Sequence, residues 1–238
     1  MKLLTPAHAN TKTAKNDSNK YLSAILHLAP ANVSGYNVCK AASDGCKAAC
    51  LNTAGRGRFD NVQQARIRKT KLLFENEQEF IDLLIKDCKA LIAKANRLGL
   101  VPVVRLNGTS DLDWTKFNFK DCTEFEHIFD KFPEIQFYDY TKHPERIVKY
   151  LDGQYPSNYN LTYSQSECNQ SMALKLLNQG ANVAVVFDKV PEVYQGFKVV
   201  NGDNTDLRFL DPKNVVIGLT AKGKAKKDNT GFVVKLSA

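Results

Sequence analysis

The sequence lacks several features that would assign a function directly. It has no apolar run of about 18 residues, which excludes a membrane-spanning helix, and its first residues lack the apolar core of a signal peptide. It contains no G-x-x-x-x-G-K phosphate loop and no G-x-S-x-G elbow, which argues against the ATPase and serine-hydrolase classes. We therefore expect a cytoplasmic protein without a membrane partner.

The segment 201–212, NGDNTDLRFLDP, also lacks a feature, namely the terminal glutamate of a calcium-binding loop. Its acidic residues Asp203, Asp206 and Asp211 are predicted to make turns and to pair with Arg208.

The chain has 238 residues, of which 43% are hydrophobic, and it carries a formal net charge of +8. This length suits one large α/β domain or two small ones, and we assign residues 1–19 to a polar N-terminal segment and residues 20–238 to a single domain. The positive charge favours anionic partners such as nucleic acid, nucleotides or carboxylates. Arg56 and Arg66 follow a group of cysteines and are predicted to bind an anion, whereas the lysines of residues 222–227 are interpreted as a solvated face.

Short apolar segments alternate with segments of helical periodicity along most of the chain. Strands are predicted at residues 21–29, 101–106, 134–138, 160–163, 182–187 and 215–219. Helices are predicted at residues 61–74, 77–98, 121–131, 144–150 and 169–178. The alternation is typical of a parallel sheet covered by helices, and both an open doubly wound sheet and a (β/α) barrel satisfy it.

Polar residues follow the ends of the predicted strands. Because ligands bind at the carboxyl ends of parallel strands, these residues are expected to converge on the face that carries the loop after the first strand. The candidates for cofactor binding are Asn107, Ser110, Asp111, Asp139, Lys142 and Ser164. A purely structural role is the alternative, in which Asp111 caps a following helix and Thr141 caps the helix at Pro144.

Three of the six cysteines, Cys39, Cys46 and Cys50, lie in that loop with the spacing C-x6-C-x3-C. A disulfide knot, a zinc site, an iron–sulfur site and three unrelated thiols are all conceivable. A reducing cytoplasm disfavours disulfides, so metal or redox chemistry is the stronger interpretation. The remaining thiols Cys88 and Cys122 lie in helical patterns and are interpreted as buried core residues.

The number of ligands separates the metal alternatives. A structural zinc site and a closed iron–sulfur cluster both take four protein ligands, and Cys168 or His27 could supply the fourth. A [4Fe–4S] cluster with only three thiolates leaves one iron open for a small ligand, which is typical of a catalytic site.

Eight segments of the chain carry a family resemblance. They are LAPANVSGYNVCKAASDGCKAACLNTAGRGR, RIRKTKLLF, VVRLNGTSDLDW, FYDYTKHPERI, LTYSQSECN, NVAVVF, VVNGDNTDLRFLDP and VVIGLTAKG. With them the chain resembles a family of bacteriophage proteins named after gene product eighty-eight. A second family of phage proteins, which is radical-SAM-like, has similar SDL and TK-x-P-x-R elements in the same order.

The cysteine loop also resembles that of radical S-adenosylmethionine enzymes, although their usual spacing is C-x3-C-x2-C. The resemblance implies an α/β fold of the partial (β/α)6 TIM-like type with parallel strands. It implies an enzyme in which Cys39, Cys46 and Cys50 hold a [4Fe–4S] cluster whose fourth iron takes S-adenosylmethionine. The alternative is a non-catalytic iron–sulfur or zinc protein of the phage that binds nucleic acid or a host protein through its basic surface.

Overall fold

The computed structural model describes residues 1–6, 20–119 and 127–236, which form a mixed α/β fold around a nine-stranded sheet. The strands are β1 Leu4–Pro6, β2 Tyr21–Leu26, β3 Val101–Arg105, β4 Gln136–Thr141, β5 Tyr159–Ser164, β6 Val183–Phe187, β7 Val193–Tyr194, β8 Phe197–Asn201 and β9 Val216–Thr220. All six predicted strands are present. The short strands β1, β7 and β8 were not predicted, because three or fewer alternating apolar residues give little periodic signal.

The helices connect successive parallel strands. They are α1 Asp44–Ala48, α2 Asp60–Glu75, α3 Glu77–Leu98, α4 Ile128–Lys131, α5 Pro144–Leu151 and α6 Gln170–Asn178. Asn76 caps the start of helix α3, with its side chain accepting from the Glu79 amide, and Gly99 caps its end in the left-handed conformation. The helix predicted at 121–131 is described only as α4, because residues 120–126 lie outside the described residues, as does Cys122.

The strand order is β1-β2-β3-β4-β5-β6-β9-β8-β7. Strands β2, β3, β4, β5, β6 and β9 are parallel neighbours in chain order, whereas β1 and β7 pair antiparallel at the two edges. The order of the six does not reverse, so the switch point of a doubly wound sheet is missing among the described strands. The end strands do not pair with each other in this part of the chain, so the sheet is open and a closed barrel is not formed.

Both faces of the sheet are covered. One face packs its alternate residues, such as Ala24, Val104 and Phe137, against the helices in a large apolar core. The other face presents Tyr21, Val103 and Tyr138, which pack against Leu207. Burial on both faces explains why the strands are continuous apolar runs in the sequence.

The segment between β8 and β9 supplies the cover of the second face and carries the predicted acidic residues. Asp206 is fully buried and accepts hydrogen bonds from Arg105 Nη1 at 3.0 Å and from the Tyr138 hydroxyl at 2.9 Å. Asp211 forms the predicted ion pair with Arg208, with Oδ2 3.2 Å from Nε. The predicted pairing with Arg208 is thus present for Asp211. Asp206 instead bonds to Arg105 and Tyr138 of the sheet, and Asp203 pairs with Lys222.

Among the residues that the structure describes, no helix combines the length and the apolar character needed to cross a bilayer.

Candidate functional site

The cysteine loop follows β2 and is held in place by contacts within the loop and from the end of β5. Ser43 caps α1 by accepting from the Cys46 amide at 3.2 Å. Glu167 accepts from the Ser43 hydroxyl and from the Gly45 amide, both at 2.8 Å. A Cβ atom on Gly45 would lie 2.8 Å from the same carboxylate, so this close approach requires glycine.

Cys39, Cys46 and Cys50 line one cavity of about 210 Å³. Burial, the largest cause, and the charges of Cys50 and Cys46 together raise the pKa of Cys39 to about 11, so the three sulfurs interact electrostatically. Burial also raises the pKa of Cys50. Within the described ranges, however, no group of three or more histidine, cysteine, aspartate or glutamate side chains is arranged to hold a metal ion. The thiols share a cavity without forming a preassembled single-ion site.

The same cavity collects residues from the carboxyl ends of several parallel strands. It is lined by the predicted cofactor-binding residues Asn107, Ser110, Asp111, Lys142 and Ser164. Lys142 Nζ donates to the Ser164 hydroxyl at 2.6 Å and keeps further protons for a ligand. The structure therefore brings these five residues and the three cysteines together, as parallel strands predict.

Two of these five residues are occupied by internal contacts. Asn107 Oδ1 accepts from the Ser110 hydroxyl at 2.8 Å and from the Leu112 amide at 2.9 Å. Asp111 accepts from Arg146 Nη1 and from the Lys142 amide, each at 2.8 Å. Asp111 is therefore an ion-pair partner and not a helix cap, so Lys142 and Ser164 are the better candidates for contact with a ligand.

Thr141 is buried at the end of β4, behind the start of α5. Its hydroxyl accepts from the amide of His143, the residue that precedes α5, at 3.1 Å, and from Arg146 Nη1 at 3.2 Å. Thr141 thus supports the start of α5, close to the structural role that the sequence suggested, while also lining the cysteine cavity.

Asp139 does not line the cavity but lies fully buried behind it. Its carboxylate accepts from the Asn107 amide at 2.6 Å and from the Tyr159 hydroxyl at 3.2 Å. Burial raises its pKa to about 7, although these hydrogen bonds and the charges of Arg105 and Arg146 favour the ionised form. Asp139 thus positions Asn107, and its contacts give it no route to a ligand in the cavity.

The raised pKa of Asp139 predicts a pH-dependent stability. Its pKa rises from 3.8 when unfolded to about 7 when folded, so its contribution is fully present below the unfolded value and is lost as the pH rises through 7. From about pH 5 to pH 8, the unfolding free energy of the natural protein should fall by on the order of 2 kcal/mol relative to Asp139→Asn. Denaturant titrations of both proteins measure this, and parallel pH profiles would contradict it.

The predicted anion-binding residues lie at a second cavity of about 480 Å³. Arg56 and Arg66 line it, together with His27. Arg66 also favours the ionised form of Cys50 electrostatically, so it stands between the two cavities. The two cavities adjoin, because Leu51 and Gly108 line both of them.

Neither candidate for a fourth ligand lines the cysteine cavity. Cys168 is exposed, and its sulfur lies 3.4 Å from the Ser166 hydroxyl. His27 belongs to the second cavity, where burial and the neighbouring cations lower its pKa to about 3. Cys88 is buried in the core, as its helical position predicts.

Sequence reasoning missed two basic residues of the site. Arg105 lines both cavities and pairs with Asp206. The sequence could have indicated Arg105, because a single arginine in an apolar strand that is covered on both faces needs a buried partner. Lys222 lines the cysteine cavity and pairs with Asp203, so it is not part of a merely solvated face.

The chain is an α/β protein whose open, mostly parallel sheet has cavities at the carboxyl ends of its strands, the edge at which ligands bind in folds of this class. The family model described as Gene product 88 matches residues 2–236, and the chain therefore belongs to this family of phage proteins. Neither the comparison with the curated proteins nor that with the solved structures found a match.

Proposed function

We propose that the chain is an iron–sulfur enzyme of the radical-SAM type, in which Cys39, Cys46 and Cys50 hold a [4Fe–4S] cluster. The observation that carries the proposal is the shared cavity, which joins the three thiols to polar residues from separate strand ends. Six parallel strands follow one another in chain order, which is compatible with the partial (β/α)6 arrangement of this class. That arrangement is part of the proposal.

The donor set supports a cluster better than a single ion. Three thiolates are soft ligands that suit iron–sulfur centres or zinc. Around one tetrahedral zinc ion, with bonds of about 2.3 Å, the sulfurs would stand roughly 4 Å apart and would form the compact group that the described residues lack. A [4Fe–4S] core distributes its thiolates over different irons and so accepts a wider spacing.

The charges around the thiols fit the same group. Arg66 and Lys142 both favour the ionised form of Cys50 electrostatically. Three thiolates add negative charge to a partly buried site, and two nearby cations offset it. When bound, such a cluster supplies single electrons, and the iron without a cysteine is available to S-adenosylmethionine.

The chain's own residues would hold that cofactor. Lys142 and Ser164 form a hydrogen-bonded pair on the cavity wall and can donate to a carboxylate. Phe232 lines the same cavity, with its ring centre 5.7 Å from Lys142 Nζ, and offers an apolar surface.

Addition of S-adenosylmethionine to the anaerobically reduced protein is expected to change the electron paramagnetic resonance spectrum of the cluster. Lys142→Met should weaken the binding of S-adenosylmethionine about tenfold, because a charged hydrogen bond is lost. The same spectral change should then require a correspondingly higher cofactor concentration. Lys149→Met, a matched change on the exposed side of α5, should leave the response intact. An intact cluster whose spectrum ignores the cofactor would favour the non-catalytic alternative.

A further inference from the structure

The second cavity carries an excess of positive charge. Among the described residues, four cations line it against one carboxylate, that of Asp206: Arg56, Arg66, Lys69 and Arg105. Asp206 is already bound by Arg105 and by the Tyr138 hydroxyl. A low-dielectric wall with more cations than carboxylates attracts anions of more than one charge.

Two of these cations are held in place with donor capacity left over. Arg66 is buried, and within the described residues its Nη1 donates to Asn52 Oδ1 while its Nε has no partner. Arg105 donates through Nη1 to Asp206, and its buried Nε likewise has no partner in the described part of the chain. Buried donors of this kind are rarely left unmet in a folded protein, which points to a missing acceptor.

Burial and neighbouring charges also act on Lys69 and His27, which line the same cavity. Burial lowers the pKa of Lys69 to about 8, which leaves it mostly protonated at neutral pH, and it donates to the Leu3 carbonyl at 2.6 Å. Burial together with the charges of Arg66, Arg105 and Lys69 keeps His27 neutral. Three of the cations at the cavity, Arg66, Arg105 and Lys69, thus act on a neutral imidazole.

We propose that the second cavity binds a small molecule that carries a phosphate or diphosphate group. Its volume of about 480 Å³ lies in the range of ligand sites. Guanidinium forks match the geometry of phosphate oxygens, and a net excess of cations suits a multiply charged group better than a single carboxylate. The proposal goes beyond the iron–sulfur function and does not depend on it, because the charges belong to the protein itself.

Isothermal titration of the purified protein with inorganic diphosphate at fixed salt tests the proposal. We expect saturable binding, with inorganic phosphate binding more weakly and citrate more weakly still. Arg66→Gln should weaken diphosphate binding about tenfold or more, because it removes a buried charged donor. Arg56→Gln changes an exposed residue at the cavity and should weaken binding severalfold without affecting folding.

Arg97→Gln provides the matched control. Arg97 is exposed in the last turn of α3, at the opposite end of the sheet from the cavity, and its loss should leave binding unchanged. If Arg66→Gln fails to fold, Arg56→Gln and Lys69→Met decide the outcome. The proposal is overturned if the folded protein binds no diphosphate at millimolar concentration, if Arg97→Gln weakens binding as much as Arg56→Gln, or if only an oligonucleotide binds. Iron and sulfide content, measured on the same sample, reports separately on the iron–sulfur proposal.

Discussion

Alanine at Cys39, Cys46 or Cys50 is expected to abolish bound iron and acid-labile sulfide in protein purified without oxygen. Each thiol lines the same cavity, and no other cysteine among the described residues lines it, so no substitute ligand is at hand. A cluster that loses one of three protein thiolates loses its hold on the core. The natural protein should be brown and absorb broadly in the visible, whereas the three variants should be colourless.

Cys88→Ala is the matched control for this experiment. Its sulfur is fully buried in the apolar core, away from the cavity, so the variant should keep its iron and sulfide and lose only some stability. Loss of metal from this variant with the fold intact would show that the ligands are misassigned. Stoichiometric zinc without sulfide in the natural protein would contradict the iron–sulfur proposal.

Asp206→Ala is expected to lower the unfolding free energy by about 3–5 kcal/mol. The substitution leaves the mostly buried guanidinium of Arg105 without its counter-charge and the Tyr138 hydroxyl without its acceptor. It also removes the contacts of the residue next to Leu207, which packs against the second face of the sheet. Denaturant unfolding monitored by circular dichroism measures the loss.

Asp82→Ala serves as the comparison for Asp206→Ala. Asp82 is exposed on α3 and accepts from Gln78 Nε2, so its removal should cost no more than about 0.5 kcal/mol. The double variant Asp206→Leu, Arg105→Met should recover part of the stability, because it removes both charges together. A cost for Asp206→Ala as small as that of Asp82→Ala would refute a buried ion pair.

Local patterns were enough for much of the fold. The apolar alternation located six parallel strands, and the helical periodicity of residues 77–98 located α3. Because strand ends of a parallel sheet meet at one edge, the direction of the strands alone predicts that residues as distant as Cys39 and Ser164 lie together, and they line one cavity. The closure of the sheet could not be predicted, since an open sheet and a barrel share one local pattern.

The sequence by itself determined the alternation of strands and helices, and it placed the three cysteines and most of the predicted polar residues at one cavity, because both follow from periodicity and from the direction of the strands. Only the tertiary structure decided how these residues divide their roles. It withdrew Asp139 behind the cavity and joined Arg105 to Asp206 across a separation of 101 residues. It also gathered the cations of the second cavity from α2, β3 and the cysteine loop. Such contacts depend on packing between segments that are far apart in the chain, which no local pattern encodes.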